Sequence, residues 1–195
     1  RLRLIRAEID ANEIRELAQK HKVTVTEYFV SVYHFALQKI FLSEKEKGKR
    51  VKRKVLRIEV PVNMRKIFPS RTMRNFSLFV LPEIDLRLGT YTFEEILKSV
   101  HHQLQIATNA KQISRLLSSN VSPEKLLAVR LMPLFIKKMA IASVYKGLAS
   151  KRWSGIVTNL GMVDVPPEMA DWIESFELVP PPPNLNVRVN CALVS

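Results

Sequence analysis

The segment that most restricts the fold begins at Thr24. Thr24 and Glu27 stand three residues apart, the spacing at which a hydroxyl caps the first helical turn and a carboxylate reaches back to the capping N–H. Phe29, Val32, Tyr33, Ala36 and Ile40 then recur at helical spacing over about five turns. An apolar stripe of that length must be covered by something flat, and the chain offers strands to do it. Val55-Leu-Arg-Ile-Glu-Val-Pro-Val62 and Phe76-Ser-Leu-Phe-Val-Leu81 are rich in β-branched and aromatic residues, with residues 63–75 between them as a long basic loop.

Further helix starts alternate with further strands. Asp10 to Glu13 predicts a helix before Thr24, closed at His21, and Thr92 to Glu95 predicts one whose core face is Phe93, Ile96, Leu97, Val100, Leu104 and Ala107. Ser122-Pro123 is expected to open another helix, because Pro is harmless in a first turn, and Pro133 to kink or split it. Residues 156–158, 173–179 and 186–195 read as strands, with residues 180–183 a stiff proline connector. The opening run, residues 1–6, reads as a strand entered in mid-protein, so a fragment of a larger chain is expected. Interleaved helices and strands predict an α/β (two-layer α+β) domain spanning residues 1–195, a mixed β-sheet covered by helices.

Composition removes several classes. With 47% hydrophobic residues in a 195-residue chain there is enough apolar surface for a core, and disorder is excluded as the main theme. The apolar stretch 126–145 is cut by Arg130, Lys137 and Lys138, so no transmembrane helix is expected. The lone Cys191 excludes an internal disulfide and a cysteine-built zinc site and fits a reducing compartment, so a cytoplasmic location is expected.

The formal charge of +13 is partly concentrated in Lys45, Lys47, Lys49, Arg50, Lys52, Arg53 and Lys54. A solvated hairpin or helix-end loop explains this run better than the functional reading of phosphate binding, and nucleic-acid binding is disfavoured because the aromatic residues lie at helix-core spacing and are not interleaved with the charges. His101 and His102 point about 100° apart on a helix, and no carboxylate or Cys stands near them at supportive spacing, so helix-surface or half-buried roles are expected. His34 beside the apolar stripe reads as a packing residue. Glycine-rich phosphate loops, Gly-x-Ser-x-Gly and His-Glu-x-x-His are all missing.

Three strand ends carry polar groups suited to a cleft. Val60-Pro-Val-Asn-Met-Arg65 leaves a strand with an amide and a guanidinium, and Arg74-Asn75-Phe76 enters the next with the same residue types. Thr158-Asn-Leu-Gly161 leaves a third with a hydroxyl, an amide and a turn glycine, a pattern that also serves as an Asx or Thr turn. In this order, with Asn75-Phe-Ser-Leu-Phe79, Pro82 and Met162-Val-Asp164, the set resembles the C-terminal half of the chloramphenicol-acetyltransferase-like (CoA-dependent acyltransferase) superfamily, closest to bacterial alcohol O-acetyltransferases and condensation-like domains.

The resemblance implies two similar halves forming a V around a tunnel. It also implies a His-His-x-x-x-Asp-Gly motif in the first half, whose second His deprotonates a hydroxyl or amine that attacks a thioester of acyl-CoA or of carrier phosphopantetheine. Here His101-His102-Gln-Leu-Gln-Ile-Ala107 lacks the Asp and the Gly, so this chain corresponds to the second half, inactive alone, with an N-terminal half as its partner. By the same resemblance, Thr158, Asn159 and Gly161 line the tunnel, and a donor there stabilises the oxyanion by about 2.7 to 4 kcal/mol. The family usually carries Ser at the position of Thr158. Asn75 and Ser77 lie nearby, Arg65 pairs with the motif's Asp, and Lys66, Arg71 and Arg74 meet CoA phosphates or an acidic carrier protein. Two alternatives stand beside this one: a non-catalytic protein- or carrier-binding module on the same fold, and a charge-driven nucleic-acid binder.

Overall fold

The computed structural model describes residues 3–49, 54–144, 154–180 and 189–195. Helices α1 (Ala11–Lys20) and α2 (Val25–Glu46) lead into strand β1 (Val55–Asn63). A 3₁₀ turn (Met64–Lys66), strands β2 (Ser77–Val80) and β3 (Glu83–Asp85), and helix α3 (Phe93–Ala107) follow. Then come α4 (Ala110–Lys125), α5 (Leu127–Leu131), α6 (Leu134–Val144), β4 (Gly155–Asn159), α7 (Pro167–Ala170) and β5 (Asn190–Leu193). The architecture is α/β, with an open mixed five-stranded sheet.

The sheet runs β2-β1-β4-β5, and β3 continues along the β2 side of β1. β2 and β3 are antiparallel to β1, while β4 and β5 extend the sheet in parallel. Two prolines shape these pairings. Leu81 and Pro82 interrupt what would be one long strand, although the Pro82 carbonyl still accepts the Ile58 N–H at 3.2 Å. Along β1 the N–H groups of odd-numbered residues face β4, as the Arg57 N–H reaching Ser154 shows. Pro61 has no N–H to give, and the β1–β4 register covers only Ile58 and Glu59.

The capped helix starts form as the spacing predicts. Asp10 accepts the N–H groups of Asn12 and Glu13, and both Thr24/Glu27 and Thr92/Glu95 complete reciprocal capping boxes, each a feature stabilising by about 1 kcal/mol. On α3 the buried residues are Ile96, Leu97, Val100 and Leu104, as the periodicity predicts. Ile96, Val100 and Leu104 pack with Val30, Ile58, Val60, Val80, Ile84 and Val157 into the core. Full burial of each such side chain contributes roughly 1.5–3 kcal/mol. Pro133 separates α5 from α6, the split expected of a residue that cannot donate to the previous turn.

Four expectations fail. The stripe of α2 is rotated: Val32 and Ile40 are 40% and 56% exposed and Ala36 is exposed, while Glu27, Val30, Ser31, His34 and Gln38 are buried. Polar residues take the inner face because each of their side chains finds a partner there. Ser31 Oγ donates to the Glu27 carbonyl at 2.7 Å, and Gln38 clasps the main chain of Tyr91 through both amide atoms, at 2.7 and 2.9 Å. Ser122-Pro123 opens no helix but lies in the last turns of α4, where the Ser122 hydroxyl donates back to Ser118. Residues 173–179 form no strand, and neither do residues 3–6, since β5 ends the sheet without pairing to either segment. Residues 1–2, 50–53, 145–153, 181–188 and the side chain of Lys66 lie outside the described set, so the expectations that fall on them do as well.

Candidate functional site

Parallel β1, β4 and β5 end at one edge of the sheet, and antiparallel β2 begins there, Asn63 pairing with Ser77. In open α/β sheets the carboxyl ends of the strands are where binding crevices form. The strand-end residues singled out from the sequence sit at this end, but the structure separates them into two groups, one on the loop joining β1 to β2 and one where β4 ends.

The first group ties down the loop between β1 and β2. Asn63 Oδ1 accepts the Arg65 N–H at 3.0 Å, and Ser77 Oγ donates to Asn75 Oδ1 at 2.7 Å. Arg65 Nη2 donates to the carbonyls of Thr72 and Arg74, at 2.8 and 2.7 Å. Its guanidinium therefore works as a loop brace, while Arg71 and Arg74 are exposed and form a cationic rim.

The second group borders a cavity of about 1040 Å³ between α1, α2, β5 and the extended segments 3–9 and 175–180. Val25, Phe29 and Tyr33 of α2 meet Cys191 and Leu193 of β5 along its wall, and Asn159 and Gly161 close one end. An Arg6–Glu177 ion pair of 2.7 Å joins the two extended segments. Asn159 Nδ2 donates to Thr26 Oγ1 at 3.0 Å and its Oδ1 accepts the Gly161 N–H at 2.9 Å, so the amide builds an Asx turn and pins it to α2. Gly161 adopts φ 81°, which favours glycine at this turn. Thr158 does not share the face. Alternation along β4 sends its side chain to the side of the sheet away from α2, and it does not line the cavity.

Several groups here escaped the sequence reading. Tyr33 Oη donates to the Val189 carbonyl at 2.8 Å, a contact across 156 residues that spacing cannot reveal. Burial first, then the neighbouring Cys191 thiol, pushes the Tyr33 phenol well above its ordinary range, and burial also pushes Cys191 up. Both stay protonated at neutral pH, so they can donate hydrogen bonds but supply no nucleophile. On the outer face of the sheet Glu59 is held above the usual carboxylate range by burial. Its only signal in the sequence is a carboxylate inside a β-branched run.

The carboxylate missing from the neighbourhood of His101 in sequence is supplied by the fold. Packing α3 on α2 places His101 Nδ1 3.2 Å from Oε2 of buried Glu27, the atom that also accepts the Thr24 N–H at 2.7 Å. The pair lies on the α2–α3 seam, and no histidine lines the cavity. Among the described residues no three His, Cys, Asp or Glu side chains gather as a metal site. The cavity thus has an apolar wall and no histidine; Asn159 and Gly161 spend their N–H groups on the turn, and the charged side chains at its border are Arg3, Arg6, Glu8, Arg15 and Glu177, an arrangement suited to holding a ligand. Comparison with protein-family models, with characterised proteins and with solved structures found no match to this chain.

Proposed function

We propose that this chain is the wall-forming half of an acyltransferase of the chloramphenicol-acetyltransferase-like kind. In this reading an acyl group moves from a CoA or carrier-pantetheine thioester to a hydroxyl or amine, and the imidazole base comes from a segment bearing His-His-x-x-x-Asp-Gly. The observation that carries the reading is the roughly 1040 Å³ cavity between α2, β5 and the extended segments, bordered at one end by Asn159 and Gly161 from the carboxyl end of β4. Its apolar wall at Phe29 and Tyr33 would exclude water from a thioester, and exposed Arg71 and Arg74 would attract phosphates or an acidic carrier. Asn159 spends its amide on the turn, so its part is to shape the chamber.

The test is release of free CoA from acetyl-CoA in the presence of a short alcohol. Residues 1–195 alone should release none, and the same chain with a segment carrying the histidine motif should release it steadily. Turnover by the isolated chain, or silence of the combination, would refute the proposal. One observation favours a second reading, a carrier-binding module without chemistry: Arg65, the residue assigned to the motif's Asp, already donates to two carbonyls. That reading expects the combination to bind an acidic carrier and turn nothing over.

A further inference from the structure

The longest acid-free interval of the chain coincides with two helices whose large apolar residues are mostly exposed. From residue 125 to 163 there are seven Lys or Arg and no Asp or Glu. Within it no described residue of α6 is buried, and Leu134, Phe135, Met139 and Ile141 are each about two-thirds exposed. α5 adds Leu127 and Leu131, at 71% and 75%. Isolated exposed apolar residues are ordinary, but two consecutive helices bare on this scale mark a surface that meets something else.

We propose that α5 and α6 dock the protein on an anionic lipid surface. Two features select this occupant over a protein groove. The apolar residues of α6 are spread round the helix and not confined to one stripe, so a soft apolar medium can take all of them whereas a groove takes one side. The flanking charges are all positive: Arg130, Lys137 and Lys138 have long stems that can lie along lipid while their heads reach phosphates. Eleven residues span about 16 Å, roughly half the hydrocarbon thickness, so α6 is too short to cross. Pro133 lets α5 and α6 settle at different angles. This inference is independent of the acyl-transfer reading.

Co-sedimentation with vesicles of phosphatidylcholine alone and of phosphatidylcholine with about three-tenths phosphatidylserine tests it. The chain should pellet with the anionic vesicles and remain in solution with the neutral ones. Each cation near such a surface contributes about a fivefold factor, so the double variant Lys137→Gln with Lys138→Gln should lower the partition coefficient about 25-fold. Phe135→Ser should lower it about tenfold. All three side chains are outside the core, and an unchanged melting temperature confirms that the variants fold. Binding that these substitutions leave intact would assign the lipid affinity to general basicity and overturn the proposal, as would equal binding to neutral vesicles or none to anionic ones. A concentration-dependent dimer abolished by Phe135→Ser, without vesicle binding, would overturn it in favour of a second copy.

Discussion

His34 is the group through which acid should unfold this protein. It is fully buried on the inner face of α2, with Nδ1 3.0 Å from the Val30 carbonyl, and no ion pair reaches it among the described residues. Burial dominates and lowers its pKa from an ordinary 6.5 to about 4; the carbonyls of Val30, Leu56 and Pro82 pull weakly the other way. The folded value lies below the unfolded one, so the unfolded chain takes up the proton first. The stability is complete above pH 6.5 and drains away as pH falls toward 4. At about 1.4 kcal/mol per pKa unit the whole displacement corresponds to about 3 kcal/mol, of which about 2 kcal/mol is lost by pH ~4.5. Urea unfolding followed by far-ultraviolet circular dichroism at neutral pH and near pH 4.5 would measure it against His34→Leu, which cannot titrate. Acid lability from carboxylates is common to both proteins and cancels. The parent should lose about 2 kcal/mol more than the variant, and parallel losses would refute the assignment of the acid transition to His34.

Gly155→Ala should destabilise by about 1–3 kcal/mol, because its new methyl would overlap the Tyr33 ring, held by its bond to Val189; a lowered melting temperature, largely restored by adding Tyr33→Leu, checks this. Gln38→Leu leaves the Tyr91 N–H and carbonyl without their clasp and should cost about 1–3 kcal/mol in urea denaturation. Arg65→Ala releases the carbonyls of Thr72 and Arg74, so trypsin should cut within residues 65–75 faster while the global melting temperature moves little. Cys191, half-buried with its thiol pushed up, should react with a thiol reagent at neutral pH more slowly than a free thiol and reach full rate in denaturant.

Much of the fold is local and was therefore readable. Capping boxes at Thr24 and Thr92 involve residues three apart, the α3 core face follows one helical period, and Pro133 breaks a helix through its own missing N–H. α2 could not be read this way. Its apolar periodicity pointed to Val32, Ala36 and Ile40, and the inner face instead holds Glu27, Ser31, His34 and Gln38, because Tyr91 and the helix's own carbonyls supply partners that make their burial tolerable. The strand assigned to residues 173–179 had the composition of a strand, yet the segment borders the cavity and does not pair with the edge of β5.

The candidate site divides along the same line. Which residue types stand at the strand ends, Asn63 and Arg65, Asn75 and Ser77, Thr158 to Gly161, is written in the chain, because a strand's end is marked by its neighbours in sequence. Which of them share a cavity is not: side chains alternate across a sheet, so Asn159 borders the chamber while Thr158 faces away, and Arg65 bends back onto its own loop. The meeting of His101 with Glu27, and of Tyr33 with Cys191 and Val189, exists only once α3 lies on α2 and β5 lies beside β4. Local backbone preferences act over a few bonds, whereas contacts across 70 to 160 positions are chosen by what the assembled layers can bury together.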